Sequence, residues 1–347
     1  MATLSRSVVN RESDQAHPAT GRLSNRVALL LAGGDGRRLQ ELTSEIAGTP
    51  IPKQYCRLLQ GSSLLEATIS RARLFAPRER IHVVVNVDHL DLAKDQVNTL
   101  PETSLIVQPL NRDTGPGMIF ALLHLERTHP DATVAVFPTD HYIDKDWAFI
   151  AHVLRAVNLI SHMPDKIGIL GVAPDRPETG YGYILPANPL KMPDRAYYVE
   201  AFTEKPNLAA AQAIIAHGGL WNTFVMVFRL SRMLELLREL VPGEFEKLSG
   251  LQTSPEQAGE IYRTLRPWNL STQVLVRIPQ HLIVLKVTNV RWSDWGTRES
   301  VERTYRALKL RPLWRLSKLN ADSLPPQPTE DLLSACEPKK YAAPHPP

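Results

Sequence analysis

The sequence reads LAGGDGRRLQELTSEIAGTPIPK over residues 31–53, directly after an apolar run at residues 27–31. A short apolar run that ends in a turn predicts a strand buried on both faces. The turn contains Gly33, Gly34 and Gly36, and glycine lets a backbone approach a ligand where side chains would clash. Backbone N–H groups in such a turn can point at phosphate oxygens. This stretch therefore predicts an α/β fold with an anion-binding turn after its first strand.

Basic residues follow the glycines. Arg38 comes after Gly36 and Arg37, and Lys53 comes after Pro52. Arginine would bind phosphate oxygens as a planar fork and lysine as a point charge. A dinucleotide fingerprint needs glycine where Leu39 stands, and a P-loop needs serine or threonine where Gln54 stands, so neither motif fits. The alternative is a tight strand-to-helix turn with solvated arginines.

This block resembles the signature of the sugar-nucleotide pyrophosphorylases, and of the mannose-1-phosphate guanylyltransferases in particular. Their pattern is Ala-Gly-Gly-x-Gly-Thr-Arg-Leu, then a spacer and Pro-Lys-Gln-Phe. Residues 32–39 and 52–55 match it, with Arg37 in place of threonine. Judged by motif order, the resemblance runs from about residue 27 to about residue 310. It implies Arg38 and Lys53 as catalytic residues, and Ala32, Gly33, Gly34 and Gly36 as nucleotide-binding residues.

The bulk composition is that of a soluble enzyme. The chain has 347 residues, of which 43% are hydrophobic, enough for a full core. The net charge of +4, without a dense basic stripe, argues against a nucleic-acid partner. Two distant cysteines, Cys56 and Cys336, exclude a disulfide framework or a zinc cluster. No stretch approaches the roughly 20 apolar residues that span a bilayer. We expect a cytoplasmic protein without membrane association, and leave a homo-oligomer open.

The two ends of the chain differ from its centre. Residues 1–24 are polar, lack the apolar core of a signal peptide, and are predicted to be a disordered lead. Residues 25–310 are predicted to form the nucleotidyltransferase domain. Residues 311–347 form a Pro-rich tail, also predicted to be disordered. Some members of the family continue into a cupin-like isomerase domain, and we expect this chain to lack that activity.

Strand-like and helix-like segments alternate in the central region. Apolar runs predict strands at residues 27–31, 81–85, 105–107 and 133–137. Ser63 and Glu66 have the spacing of a capping box, and a helical repeat of apolar residues follows them. Further helices are predicted at residues 120–125 and 149–160, and more β-rich runs at 167–170, 181–184, 197–202, 223–228 and 282–287. The pattern predicts a Rossmann-like, doubly wound mixed sheet with ligands at the carboxyl ends of its strands. The resemblance implies the nucleotide-diphospho-sugar transferase, GT-A-like form of that fold.

Two aspartates are predicted to bind a divalent cation. Asp140 lies just beyond the predicted strand in Phe-Pro-Thr-Asp-His-Tyr, where a carboxylate could hold Mg²⁺ beside a triphosphate. The family counterpart, Pro-Ala-Asp-His, supplies a metal ligand, although an aspartate that caps the next turn is the alternative. Asp294, in Arg-Trp-Ser-Asp-Trp-Gly, resembles the second metal ligand in Trp-x-Asp-Val-Gly. We predict Mg²⁺ or Mn²⁺ between them, provided that the β-like runs they end belong to one sheet.

Three further blocks resemble the sugar-binding segments of the family. The first is Glu-Thr-Gly-Tyr-Gly-Tyr-Ile at residues 178–184, which contains Gly182. The second contains Glu204, an acceptor for sugar hydroxyls, and Lys205, a partner for the sugar phosphate. A solvated Glu-Lys pair is the alternative there. The third contains Asn222, in a Trp-Asn-Thr-Phe sequence that departs from the family's Trp-Asn-Ser-Gly.

The loop at residues 108–117 reads Gln-Pro-Leu-Asn-Arg-Asp-Thr-Gly-Pro-Gly. It resembles Glu-Pro-x-x-Arg-Asn-Thr-Ala-Pro-Ala, a loop that contacts the nucleotide in relatives. The resemblance implies Gln108, Thr114 and Gly115 as nucleotide-binding residues. Asp113 replaces the asparagine of the pattern, and glycines at 115 and 117 replace its alanines. At residues 271–276, Gln273 stands where the family has an acid.

These blocks predict a nucleotidyltransferase that converts a sugar 1-phosphate and a nucleoside triphosphate to a nucleoside diphosphate sugar and pyrophosphate. The predicted substrates are mannose 1-phosphate and GTP, which places the chain in GDP-mannose biosynthesis. One alternative is an enzyme of the same fold with another sugar or base. The other is a non-catalytic nucleotide-binding regulatory homologue, which the departures at Arg37, Asp113 and Gln273 keep open.

Overall fold

The computed structural model describes residues 25–312 and 314, apart from residues 60, 192–194 and 251–254. The predicted lead and nearly all of the predicted tail lie outside the described residues. The domain limits of 25–310 therefore stay a prediction.

The described residues form eleven strands. They are β1 (Arg26–Leu31), β2 (Ile81–Asn86), β3 (Leu105–Gln108), β4 (Thr133–Pro138), β5 (Tyr142–Ile143), β6 (Ile167–Val172), β7 (Gly182–Pro189), β8 (Ala196–Glu204), β9 (Leu220–Arg229), β10 (Leu282–Val287) and β11 (Trp292–Ser293). All nine strands predicted from the sequence are present, most of them slightly longer than predicted. The two-residue strands β5 and β11 were not predicted, because two residues carry no periodicity.

Nine strands form one mixed sheet in the order β3-β2-β1-β4-β9-β6-β10-β8-β7, and β5 pairs with β11 in a separate ribbon. Strands β1 to β4 run parallel. Strand β9 lies antiparallel between β4 and β6, and β10 runs parallel to β6. The chain builds outward from β1 to β3 and then returns to place β4 on the other side of β1. That reversal makes the carboxyl ends of β1 and β4 a topological switch point, where open α/β sheets bind ligands.

The described residues also form eleven α-helices. They are α1 (Gln40–Ala47), α2 (Leu64–Ala72), α3 (Leu90–Gln96), α4 (Thr114–Thr128), α5 (Asp146–His162), α6 (Leu208–Ala216), α7 (Leu230–Leu240), α8 (Pro242–Ser249), α9 (Pro255–Thr264), α10 (Leu270–Gln273) and α11 (Arg298–Ala307). The predicted capping box of Ser63 and Glu66 is present at the start of α2. The helices predicted at 120–125 and 149–160 lie within α4 and α5.

The core lies on both faces of the main sheet. Val27 and Leu29 of β1 pack on one face with residues of α4 and α7. Ala28 and Leu30 pack on the other face with residues of α2 and α5. These four of the six residues of β1 are fully buried, which explains why this part of the strand is a continuous apolar run. None of the helices in the described ranges has both the length and the apolar character to cross a membrane.

Candidate active site

The glycine-rich turn follows β1 at the switch point. Gly36 has a φ of +63°, and a Cβ there would lie 2.9 Å from the backbone nitrogen of Lys53, so only glycine fits without strain. The side-chain amide of Gln54 donates to the carbonyl oxygens of Ala32 at 3.0 Å and Gly34 at 2.7 Å. These bonds fix the shape of the turn through the same Pro-Lys-Gln segment that carries the predicted lysine.

Lys53 joins two acidic segments of the site. Its Nζ lies 3.3 Å from Oδ2 of Asp140. It also donates to the backbone carbonyl oxygens of Asp294 at 2.5 Å and Trp295 at 3.0 Å. The Lys53 side chain is only 8% exposed. The ammonium therefore ties the tip of β4 to the turn that follows β11.

The condition placed on the metal prediction, that Asp140 and Asp294 end strands of one sheet, is not met. Asp140 follows β4 of the main sheet, whereas Asp294 follows β11 of the two-stranded ribbon. In that ribbon Trp292 pairs with Ile143 and Ser293 with Tyr142. Because β5 begins just after Asp140, the ribbon brings the Asp294 turn back beside it, and both aspartates border the same cavity.

The Asp294 carboxylate is oriented by two donors. Its Oδ1 accepts from the Tyr181 hydroxyl at 2.6 Å and from the Gly296 N–H at 2.8 Å. Burial raises the pKa of the Tyr181 phenol, and the charge of Asp294 raises it further, so the hydroxyl remains a donor. A Cβ on Gly296 would lie 2.5 Å from Oδ2 of Asp294 and 3.2 Å from the Arg38 guanidinium. A side chain at position 296 would therefore have to displace the Asp294 carboxylate and the Arg38 guanidinium.

The charge state of Asp140 suits a cation. Burial raises the pKa of its carboxyl, but the Lys53 ammonium and His141 lower it, and the net pKa lies below its ordinary value. The described residues contain no group of three or more histidine, cysteine, aspartate or glutamate side chains that could hold a metal ion. Two carboxylates facing a cavity still fit Mg²⁺, which uses one or two of them and completes its octahedron with phosphates and water.

The predicted sugar-binding residues meet at another part of the cavity. Gly182 of β7 pairs with Glu204 of β8, and a Cβ on Gly182 would lie 2.7 Å from Oε2 of Glu204. Burial raises the pKa of the Glu204 carboxyl above its usual value, with Asp113 adding to the rise and Lys205 opposing it. Lys205 Nζ lies 3.9 Å from Oε1 of Glu204. Asn222 of β9 lines the same cavity as Gly182, Glu204 and Lys205.

The predicted nucleotide loop runs from β3 into α4. Gln108 ends β3, and the Thr114 hydroxyl accepts from the Leu270 N–H at 2.9 Å. The Gly115 N–H donates to the Trp268 carbonyl at 3.0 Å. A Cβ on Gly115 would lie 2.2 Å from the Trp268 ring. Gly115 therefore packs against the segment before α10, and its N–H is already engaged.

One cavity of about 670 Å³ connects these groups. The predicted residues that line it are Gly33, Gly34, Gly36, Arg38, Gln108, Thr114, Asp140, Gly182, Glu204, Lys205, Asn222 and Asp294. The predicted residues Ala32, Lys53 and Gly115 lie behind its wall. The sequence reasoning missed Gln54 and Tyr181, although both belong to motifs that it had identified. It also missed Ser271, which comes from a distant segment, borders the same cavity and lowers the pKa of Glu204.

Comparison with protein families and curated proteins gives consistent matches. A family model described as nucleotidyl transferase matches residues 27–309. Xanthan biosynthesis protein XanB of Xanthomonas campestris pv. campestris is 36% identical over 223 residues, 63% of this chain and 45% of that protein. Mannose-1-phosphate guanylyltransferase 2 of Escherichia coli O157:H7 is 30% identical over 296 residues, 79% of this chain and 59% of that protein. The chain spans about half the length of the curated relatives that it matches.

Solved structures show the same fold. A crystal structure described as mannose-1-phosphate geranyltransferase from Thermus thermophilus has a TM-score of 0.71 and 29% identity, covering 81% of this chain and 79% of that one. A UDP-glucose pyrophosphorylase complexed with UDP-glucose has a TM-score of 0.52 and 16% identity, covering 82% of this chain and 98% of that one. The second likeness shows the fold alone.

Proposed function

Because this chain belongs to the nucleotidyl transferase family, we propose that it joins a sugar 1-phosphate to a nucleoside triphosphate and releases pyrophosphate. The observation that carries this proposal is the single cavity bordered by the glycine turn, Arg38, both aspartates and the polar group around Glu204. Its volume of about 670 Å³ lies within the usual range of small-molecule sites. A nucleotide and a sugar phosphate would have their phosphates side by side at the switch point.

The reaction needs little acid–base chemistry. A phosphate oxygen of the sugar 1-phosphate attacks the α-phosphorus of the triphosphate. The bond from that phosphorus to the oxygen shared with the β-phosphate breaks, and pyrophosphate leaves with the electron pair. Since the nucleophile is already an anion, no strong general base is required. Catalysis consists of in-line positioning and neutralisation of charge on the transferring group.

The chain's own residues divide these tasks. Backbone N–H groups of the glycine turn and the Arg38 guanidinium bind phosphate oxygens. Lys53 holds Asp140 and the Asp294 turn in place and adds positive charge behind the cavity wall. Asp140 and Asp294 would hold Mg²⁺ or Mn²⁺, which when bound supplies the positive charge that a triphosphate needs. Tyr181 keeps the Asp294 carboxylate oriented.

The proposed substrates are GTP and mannose 1-phosphate, with GDP-mannose as product. A relative named mannose-1-phosphate guanylyltransferase 2, 30% identical over 79% of this chain, supports this choice. Glu204 and Asn222 offer an acceptor carboxylate and an amide that can both donate and accept, a suitable set for sugar hydroxyls. Lys205 at the same end offers a cation for the sugar phosphate.

A substrate panel tests this proposal. Pyrophosphate release is measured for GTP, ATP, UTP and CTP, each combined with mannose, glucose, galactose and N-acetylglucosamine 1-phosphates. We expect GTP with mannose 1-phosphate to give the highest kcat/KM. Equal or better turnover with UTP or CTP would overturn the guanylyl assignment and leave the reaction class standing. Binding of GTP without pyrophosphate release from any pair would favour a regulatory nucleotide-binding homologue instead.

A further inference from the structure

Phe224 has an uncommon backbone conformation at the edge of the cavity. Its φ is +59°, in the left-handed region that favours glycine. Phe224 borders the cavity and also packs against the hydrophobic core on one face of the main sheet. A bulky residue with a positive φ is an outlier, and such residues cluster at functional sites. The conformation therefore makes Phe224 a candidate for a role in the site.

Neighbouring side chains hold this conformation in place. The Phe224 N–H donates to Oδ1 of Asn222 at 2.9 Å. The Thr223 hydroxyl donates to the Leu170 carbonyl at 2.8 Å and accepts from the Val225 N–H at 3.2 Å. The pairing of β9 with β6 shifts its register at this point, and such a bulge changes the direction of a side chain. These bonds fix the local bend of β9 and so determine where the Phe224 side chain lies.

The pairing of β9 with β4 places Phe224 beside the proposed phosphate end. Met226 of β9 lies opposite Val136 of β4, and the two strands are antiparallel. The same register, continued along both strands, places Phe224 beside Pro138, which also borders the cavity. Pro138 comes shortly before Asp140, the proposed metal ligand. The ring therefore lies close to where the phosphate of a sugar 1-phosphate would bind.

The polar group around Glu204 adjoins Phe224 on its other side. A Cβ on Gly182 would lie 2.7 Å from Oε2 of Glu204 and 3.4 Å from Cβ of Asn222. Asn222 in turn accepts the hydrogen bond from Phe224. Phe224 thus lies between the proposed phosphate end and the proposed sugar end. In a bound sugar 1-phosphate, the group between these ends is the substituent at C2, next to the anomeric carbon.

We propose that the Phe224 ring excludes sugar 1-phosphates that carry an acetamido group at C2. This inference rests on the proposed function and specifies its sugar. A hydroxyl at C2 is small, whereas an acetamido group would have to displace a ring that packs on the core. Forcing extra atoms into a packed wall weakens binding by about tenfold or more. The family's Trp-Asn-Ser-Gly pattern has glycine at this position, which would leave the space open.

The test compares sugar 1-phosphates that differ only at C2. The pairs are mannose with N-acetylmannosamine 1-phosphate and glucose with N-acetylglucosamine 1-phosphate, and kcat/KM is measured with GTP and Mg²⁺. The native chain should prefer the hydroxyl sugar by about tenfold or more. Phe224→Gly should reduce that preference to within about threefold, because glycine adopts this φ without strain and opens the wall. Lys309→Gly, at an exposed residue with a φ of +57° away from the cavity, should leave it unchanged.

Phe224→Asn covers the case in which the glycine variant does not fold. Asparagine is smaller than phenylalanine and tolerates a positive φ, so the preference should fall here too. Thermal unfolding shows which variants are folded. An unchanged preference in a folded variant would overturn the inference, because Phe224 would then have only a structural role. A native chain that uses acetamido sugars as well as hydroxyl sugars would overturn it too.

A binding measurement separates this inference from the proposed function. If the native chain releases no pyrophosphate, the proposed function fails. The Kd of each sugar 1-phosphate is then measured by calorimetry with a GTP analogue that has a methylene group between its α- and β-phosphates. Binding of the acetamido sugars that is about tenfold tighter in Phe224→Gly than in the native chain would support the role of Phe224. Equal binding by the two proteins, or binding by neither, would refute it.

Discussion

At the residue scale, the Lys53 ammonium connects segments that lie far apart in sequence. It bonds to backbone carbonyls 241 and 242 positions away and pairs with Asp140. The sequence predicts only a cation beside the phosphates. In the structure, the same side chain also determines where the proposed metal-binding turn lies. Loss of its charge should therefore affect both turnover and stability.

Lys53→Ala should lower kcat by about two to three decades, or roughly 3–4 kcal/mol at the transition state. The melting temperature should fall as well, because the carbonyls of Asp294 and Trp295 lose their donor and Asp140 loses its cation. Steady-state kinetics and thermal unfolding measure the two effects. Lys94→Ala, at a lysine whose side chain is 58% exposed, serves as the control and should change neither. Native turnover in the Lys53 variant would remove this residue from the mechanism.

Asp294→Asn tests the metal site with little change of shape. Asparagine keeps an oxygen that can accept from Tyr181 and Gly296, but it removes the negative charge. We expect a lower maximal rate and a higher Mg²⁺ concentration at half-maximal rate, with no activity in chelator. Rates measured across a Mg²⁺ titration give both values. Asp91→Asn, at a side chain that is 99% exposed, should match the native titration. An unchanged titration in the Asp294 variant would exclude a metal on this carboxylate.

At the element scale, the glycine turn shows how much local sequence can predict. A continuous apolar run before glycines predicted β1 and its turn, because a strand buried on both faces has no polar positions. The ribbon of β5 and β11 could not be predicted, since each strand has only two residues and its partner lies far away in the sequence. For that reason the condition that both aspartates follow strands of one sheet is not met, although the ribbon places both at one cavity and the shared metal stays a prediction.

Gly36→Ala should destabilise this turn. The φ of +63° is strained for alanine, and its Cβ would meet the backbone of Pro52 and Lys53 at 2.9 Å. We expect a loss of about 1–3 kcal/mol in the free energy of unfolding, measured by denaturant titration. Gly34→Ala is the matched control, because nothing lies within 4 Å of a Cβ at that position. Equal stability of the two variants would contradict the packing described for Gly36.

A histidine cluster between β2 and α4 should make stability depend on pH. His82 is 4% exposed, and its Nε2 lies 3.1 Å from Nε2 of His129. Burial, together with His129, His124 and Arg80, lowers the pKa of His82 to about 4. The unfolded chain has the ordinary pKa of about 6.5 and binds the proton more readily. The neutral His82 ring therefore contributes fully to the free energy of unfolding above a pH of about 6.5. This contribution is lost as the pH falls toward about 4.

His82→Phe should remove this dependence. Between pH 6.5 and about 4 the native chain should lose up to roughly 3 kcal/mol more than the variant. Denaturant titrations at several pH values measure the free energy of unfolding of both proteins. The carboxylates that titrate in the same pH range are common to both, so their effect cancels in the difference. His217→Phe, at an exposed histidine, should follow the native curve. Parallel curves for the native chain and the His82 variant would show that this cluster does not control acid stability.

At the scale of the whole molecule, the match over residues 27–309 confirms the predicted family. The nine-stranded mixed sheet and the structural neighbours confirm the predicted nucleotide-diphospho-sugar transferase fold. The sequence could support both predictions because contiguous motifs mark the strand ends. It could not supply the strand order β4-β9-β6-β10, nor the presence of Ser271 and Glu204 at one cavity. Those arrangements depend on pairing between distant segments, which no local pattern encodes.

The most direct test of the central claim follows the phosphorus atoms by ³¹P NMR. The full chain is mixed with GTP, mannose 1-phosphate and Mg²⁺, and a parallel sample contains chelator. The account predicts resonances of GDP-mannose and pyrophosphate growing in equal amounts as both substrates disappear, and no change with chelator. Unchanged substrates in the presence of Mg²⁺, or formation of GDP and orthophosphate in place of GDP-mannose and pyrophosphate, would contradict it.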